Sequence, residues 1–280
     1  MPLARAKVNL WLKVVGRRAD DGYHLLDSLV AFADLADSLD VVAADRLSLA
    51  LDGPSAGSLA GEGDNLVLKA ARLLADTTGV APRAALRLTK HIPVAAGLGG
   101  GSADAAAALQ ALVELWRLAL PVEELFDLAA RLGADVPMCL AGRAALVSGI
   151  GEKLAPAPPL PACGLLLVNP RVALPTAGVF AARRSDFSQP QPPACAWSDL
   201  PSLVEALAAR GNDLTSAATA LCPVIADVLA FLRASPAVRY AAMTGSGATC
   251  FALYDTPSAA ERAAAGVPTA WWRHAGTLAS

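Results

Sequence analysis

The chain has 280 residues, 55% of them hydrophobic and 17% charged, which is ample for a packed core and unlike a disordered chain. Its formal net charge of -2 at pH 7 leaves no broad basic field for a nucleic-acid backbone or an anionic membrane. Nowhere do about 18 apolar residues run together as a membrane span requires, and the length suits one large domain or two intimately joined ones.

MPLARAKVNLWLK carries Lys7, Asn9 and Lys13 where a signal peptide needs an unbroken apolar stretch. Cys139, Cys163, Cys195, Cys222 and Cys250 are odd in number and free of C-x-x-C pairs. Neither a disulfide framework nor a zinc site is expected, and a reduced cytoplasm is. The first 50 residues predict strands AKVNLWLKVV, LLDSLVAF, SLDVVAA and RLSLAL, parted by polar turns such as ADDGYH and AADR. From Asn65 the period changes: in NLVLKAARLLADTTG, Leu66, Ala70, Leu73 and Leu74 share a helical face and Gly79 follows the end. ALRLTKHIPV reads as a strand, a glycine cluster follows, and SADAAAALQALVELW predicts a helix with Leu109, Leu112, Val113 and Trp116 in one stripe. VEELFDLAARLG predicts another, burying Leu125, Leu128, Ala129 and Leu132 and stopping at Gly133.

After RAALVSG, the proline-dense GIGEKLAPAPPLPAC reads as a junction between a domain of residues 1–150, which holds the glycine cluster, and one of residues 151–280. The second half alternates strand GLLLVNP, helices near 176–183, 199–209 and 222–234, strands RYAAMTG and TCFALYD, a short helix and a last strand, TAWWRHA. That pattern predicts an open α+β sandwich, with QPQPPA at 189–194 as a surface loop.

Gly97-Leu98-Gly99-Gly100-Gly101-Ser102 stands between a strand and a helix, where bare backbone N–H groups and the positive helix end grip a phosphate. It lacks the Gly-Lys-Ser or Gly-Lys-Thr of a Walker loop, and Ser102 stands where a dinucleotide fingerprint needs glycine. The alternative is a flexible turn with Ser102 as a helix N-cap.

PVAAGLGGGSADAA resembles the Pro-x-x-x-Gly-Leu-Gly/Ser-x-x-Ser-small motif of the GHMP kinases, named for galacto-, homoserine, mevalonate and phosphomevalonate kinases. AKVNLWLKVVGRRADDGYH, GADVP and MTGSGATCFAL resemble, in order and across essentially the whole chain, segments of the branch of that family in the non-mevalonate isoprenoid pathway. The resemblance implies an α+β fold with a ribosomal protein S5 domain 2-like N-terminal domain, a ferredoxin-like C-terminal domain and the active-site cleft between them. It implies ATP with Mg2+ as phosphoryl donor and a cytidine diphosphate-linked sugar alcohol as acceptor. Neither nucleic acid nor membrane is expected as partner, and the chain is expected to be a cytoplasmic monomer or weak homodimer.

By the same resemblance Asp135 of GADVP is the catalytic base, and Lys7, matching Ala-Lys-x-Asn together with Asn9, pairs with that carboxylate beside the transferring phosphoryl group. Asp135 follows a helix stop and Pro137 keeps Val136 out of helical geometry, so the carboxylate stands on a fixed bend. In a loose transition state the hydroxyl proton leaves late, and position matters more than basicity. Without the resemblance, Asp135 reads equally well as a turn former and Lys7 as an ordinary strand lysine. The resemblance also sets Asn65 and Lys90 near ATP, with Pro93, Val94, Ala95, Ala96, Gly97, Leu98, Gly99, Gly100, Gly101, Ser102 and Ala103 around its phosphates.

Tyr23 and His24 match the pair that stacks on and hydrogen-bonds the cytosine, and Phe180 supplies the other face, although Ala181 follows it where some members have a basic residue. Asn9 and Gly245 complete the expected acceptor side, the latter in a turn facing the glycine loop. His91 and His274 read as structural, no carboxylate cluster fixes a metal, and Asp104, Asn212 and Asp213 have no assigned role. Three rivals are weighed: a homoserine- or mevalonate-type kinase, a regulator that has lost transfer, and a dinucleotide-dependent oxidoreductase. Tyr23 with His24 speaks against the first, Lys7 with Asp135 against the second, and Ser102 with the strand-rich start against the third.

Overall fold

The computed structural model describes residues 3–59, 65–189, 191 and 196–279. Cys195 and most of the expected loop at 189–194 lie outside these. Two compact units interleave along the chain. The first gathers Met1–Ala6, Leu35–Val94 and Gly99–Gly142; the second gathers Lys7–Asp34, Ala95–Leu98 and Arg143–Ser280.

β1 (Leu3–Arg17) pairs with β2 (His24–Val42). Where two strands were expected across residues 25–44, β2 is one strand of 19 residues, because ADLAD between the two apolar runs contains no glycine or proline to turn the chain. In the first unit, Ser38–Val42 of β2 pairs antiparallel with β4 (Ala85–Thr89), and β3 (Ser48–Asp52) runs parallel to β4. Leu39, Leu86 and Leu88 of β2 and β4 share a core with α1 (Leu66–Thr78), α2 (Gly100–Leu115), α3 (Val122–Leu132) and α4 (Val136–Ala141). Buried alanines at 103 and 105–108 let α2 lie close to its neighbours in that core. The expected bend at GADVP continues into α4, whose first turn holds Pro137, a place where a missing N–H costs nothing.

In the second unit, β7 (Gly164–Asn169) is buried along its length between antiparallel β10 (Trp272–Ala279) and β9 (Cys250–Tyr254), and β8 (Val238–Met243) pairs with β9. The end of β10 reaches Phe32 and Ala33 of β2. Leu26–Val30 of β2 pairs with β5 (Ala145–Gly149), which pairs with β6 (Lys153–Pro156). The expected domain break near residue 150 therefore falls in the turn of the β5–β6 hairpin, within the second unit. Among the described residues, five helices complete this unit: α5 (Thr176–Ala182), α6 (Leu200–Arg210), α7 (Thr215–Leu221), α8 (Val224–Ala234) and α9 (Pro257–Ala265). Leu166, Val168, Ile225, Val228, Leu232 and Tyr254 belong to its core. Among the described residues no helix is long and apolar enough to cross a membrane.

Candidate active site

Residues two apart on a strand share a face, so β1 presents Lys7 and Asn9 together. Lys7 Nζ donates to Asn9 Oδ1 at 2.8 Å, and Asn9 Nδ2 donates to Ser28 Oγ at 2.8 Å. The Ser28 hydroxyl donates to the Trp11 carbonyl at 2.6 Å, and Asn9 N donates to Thr244 Oγ1 at 2.8 Å. Lys7 is only 7% exposed; an ammonium so far from water needs compensating polar groups, and this network supplies some of them.

The first part of the glycine segment, Ala95–Leu98, is fastened to the same network. Lys7 N donates to Leu98 O at 2.9 Å, and Thr249 Oγ1 donates to Ala96 O at 2.6 Å while accepting from Asn169 Nδ2 at 2.8 Å. The MTGSGA turn abuts it directly. A β-carbon on Gly97 would lie 2.4 Å from the Gly247 carbonyl oxygen; one on Gly245 would lie 3.1 Å from Gly97 O, 3.4 Å from Asn9 Oδ1 and 3.9 Å from Lys7 Nζ. Both residues have positive φ, 77° and 57°, so space and backbone alike demand glycine.

Asn212 and Asp213, which sequence reasoning left without a role, hold this assembly. Asn212 Nδ2 donates to the carbonyls of Met243 and Gly245 at 2.9 Å each, and its Oδ1 accepts from Leu214 N at 2.9 Å. Asp213 accepts from Lys13 Nζ at 2.5 Å, Val14 N at 2.8 Å and Ser188 Oγ at 2.7 Å, which fixes β1.

An aromatic cluster stands in the same unit. His24 stacks on Phe180 with ring centroids 4.9 Å apart and planes 27° apart, so His24 rather than Tyr23 meets Phe180. Tyr23 stays 59% exposed, with the Arg18 guanidinium 5.8 Å from its ring centre. Phe187, which sequence reasoning missed because a lone aromatic in RRSDFSQP belongs to no periodic pattern, lies edge-on to His24 at 6.4 Å. Burial first, then the charges of Arg17 and Arg183, lower the His24 pKa and favour the neutral imidazole, which has one donor and one acceptor nitrogen. Thr176, which opens α5, shares a 2.9 Å hydrogen bond with Ser246 of the MTGSGA turn.

In the first unit, Asn65 caps α1, its Oδ1 accepting from Val67 N at 2.8 Å. Lys90 directly follows β4. Its ammonium is turned inward, 3% exposed, and bonds to Asp37 and, at 2.6 Å, to Asp104. It sits under the start of α2, where a β-carbon on Gly100 would lie 3.3 Å from Nζ. Asp37 also accepts from His91 N at 2.5 Å and Ile92 N at 2.8 Å, whereas Asp104 Oδ1 has no partner. Burial raises the Asp104 pKa to about 7, with Lys90 opposing the rise and Asp37 adding to it.

α2 begins two residues before Ser102, and its N-cap is Gly99, which offers no side chain. The leading N–H groups of this 16-residue helix are therefore uncapped by any N-cap side chain, the arrangement that seats an anion. Pro93 and Val94 form the approach after β4, and Ala103 is buried in the helix. Asp135 directly precedes α4 and makes no side-chain cap to it. His274 Nε2 lies 2.9 Å from Asp34 Oδ1 and ties β10 to β2, a structural role. Among the described residues no group of three or more His, Cys, Asp or Glu is placed to hold a metal ion.

Residues 65–143 match the GHMP kinases N terminal domain and residues 194–274 the GHMP kinases C terminal domain. The chain is 54% identical over 272 residues to the 4-diphosphocytidyl-2-C-methyl-D-erythritol kinase of Paramagnetospirillum magneticum, covering 96% of this chain and 95% of that one. It is 51% identical over 278 residues to the protein of the same name from Rhodospirillum rubrum, covering 98% and 91%. A crystal structure of 4-(cytidine 5'-diphospho)-2C-methyl-D-erythritol kinase superposes with a TM-score of 0.81 at 39% identity over 99% of this chain and 98% of that one. The L. major mevalonate kinase complexed with R-mevalonate superposes at 0.69 with 16% identity, over 100% and 96%, and shares the fold.

Proposed function

The chain belongs to the GHMP kinases, and we propose that it transfers the γ-phosphoryl group of ATP to the 2-hydroxyl of 4-diphosphocytidyl-2-C-methyl-D-erythritol. The products are the 2-phosphate and ADP, in isoprenoid precursor biosynthesis by the non-mevalonate route. The observation that carries this reading is identity of 54% and 51%, over nearly the full length, to relatives named for that activity.

The chemistry follows from the residues. Backbone N–H groups of the glycine segment and the uncapped start of α2 hold the ATP phosphates, and Lys90 supports that segment from beneath rather than by touching phosphate. Mg2+, entering as the chelate of ATP, would supply neutralisation of phosphate charge. The acceptor hydroxyl forms the new O–P bond as the bond to ADP breaks, and Asp135 takes the hydroxyl proton late in the step. Lys7, oriented by Asn9 Oδ1, offsets charge on the moving phosphoryl group. Gly245 leaves room beside that ammonium, and His24, Phe180 and Tyr23 receive the cytosine.

The test is ADP release by the purified protein with Mg·ATP, comparing the cytidine acceptor with mevalonate, homoserine and no acceptor. Lys7→Met and Asp135→Asn each lower turnover by about a hundredfold or more and leave ATP affinity nearly intact. Turnover with another acceptor instead would sink the cytidine assignment, and undiminished turnover in either variant would discard that residue's role.

A further inference from the structure

Of the large hydrophobic side chains that stay exposed among the described residues, two are aromatic, Tyr23 and Phe187. Tyr23 adjoins His24 in sequence, and Phe187 touches it in space. Phe187 is 46% exposed yet does not swing free: its ring meets His24 edge-on, and the Arg183 guanidinium lies 5.1 Å from its centre. Arg183 is anchored in turn to the carbonyl of Asp186, while its Nε is buried with no hydrogen-bond partner. The loop after α5 therefore offers a fixed aromatic ring and a guanidinium with an unanswered donor, side by side with His24. A flat pyrimidine joined to a diphosphate has the complementary chemistry, because a base packs on an aromatic ring and Arg is suited to phosphate oxygens.

We propose that Phe187 and Arg183 form a further wall of the acceptor's nucleoside site, Phe187 packing its exposed ring on the pyrimidine and Arg183 meeting the diphosphate. The proposal rests on the cytidine-acceptor reading above. The bland alternative is that the pair merely closes the loop after α5, in which case its removal leaves substrate affinity untouched.

The experiment measures acceptor KM, ATP KM and kcat for wild type, Phe187→Ala, Phe187→Tyr and Arg183→Gln, with calorimetric binding of CDP and of cytidine to each. Phe187→Ala raises acceptor KM about tenfold, within what stacking of one base contributes, with ATP KM unchanged, and Phe187→Tyr restores it. Arg183→Gln weakens CDP more than cytidine. Wild-type turnover of the cytidine acceptor with unaltered KM in the variants overturns this proposal and leaves the kinase reading standing. CDP binding that Phe187→Ala weakens, without turnover of the cytidine acceptor, supports the nucleoside wall and sinks the acceptor assignment. Absence of CDP binding to wild type overturns both.

Discussion

Lys90 places one positive charge between two buried carboxylates, and one ammonium cannot neutralise both. Asp37 accepts from two backbone N–H groups besides the ammonium, whereas Asp104 has one oxygen without a partner, and burial raises the Asp104 pKa. Its folded pKa of about 7 lies above the ordinary 3.8. Across that window the folded chain holds a proton that the unfolded chain has lost, so stability falls as pH rises from about 4 to about 7 and then levels. Asp104→Asn, neutral throughout, removes this slope, and urea unfolding of both proteins at pH 5 and pH 7.5 reads the difference. An equal slope in the variant would assign the proton elsewhere. Lys7, Asn9 and Asp135 could be singled out as candidates in the sequence because each sits in a motif of definite order. The inward turn of Lys90 could not, since nothing in LTKHIP separates a lysine aimed at phosphate from one aimed at Asp37, 53 positions earlier.

Strands and helices differ in how plainly they announced themselves. α1 and α3 emerged from their apolar period and glycine stops, but α4 and α7, of six and seven residues, are too short for a period to register. The turn between β8 and β9 was recognisable by its glycines, whereas its clamp, Asn212, lies 31 residues from Met243 and gave no local sign. Asn212→Leu strips donors from two carbonyls and lowers stability by about 2–3 kcal/mol. It also lets Gly245 drift from Lys7, lowering kcat by up to about a hundredfold. Asn212→Asp keeps the shape without the donors, so it shares the kcat loss. Urea unfolding together with ADP release checks both, and full activity in either variant would deny the turn a part in catalysis.

At the scale of the molecule, composition sufficed to predict a packed core, the order of strands and helices predicted an α+β fold, and the family motifs supplied the reaction. The interleaving of the units was hidden, because it depends on pairings between distant segments such as Leu278 with Ala33. If the folded chain binds ATP and the unfolded chain does not, Mg·ATP at about 100 times its Kd adds about 2.7 kcal/mol of stability. That raises Tm by roughly 5 °C for a chain of this size. Thermal scans with and without nucleotide read the shift, and no shift would count against a nucleotide site in the folded state.

The pairing of β10 with β2 also governs the order of events during synthesis. Phe32 and Ala33 leave the ribosome well before their partners Ala279 and Leu278, which follow them by 279 − 32 = 247 and 278 − 33 = 245 positions. At typical translation speeds of about 5–20 residues per second, that edge of the nascent chain stands open for on the order of half a minute. For that interval it is an unpaired strand edge of the kind that recruits other chains, and translation pace and chaperone access become determinants of yield.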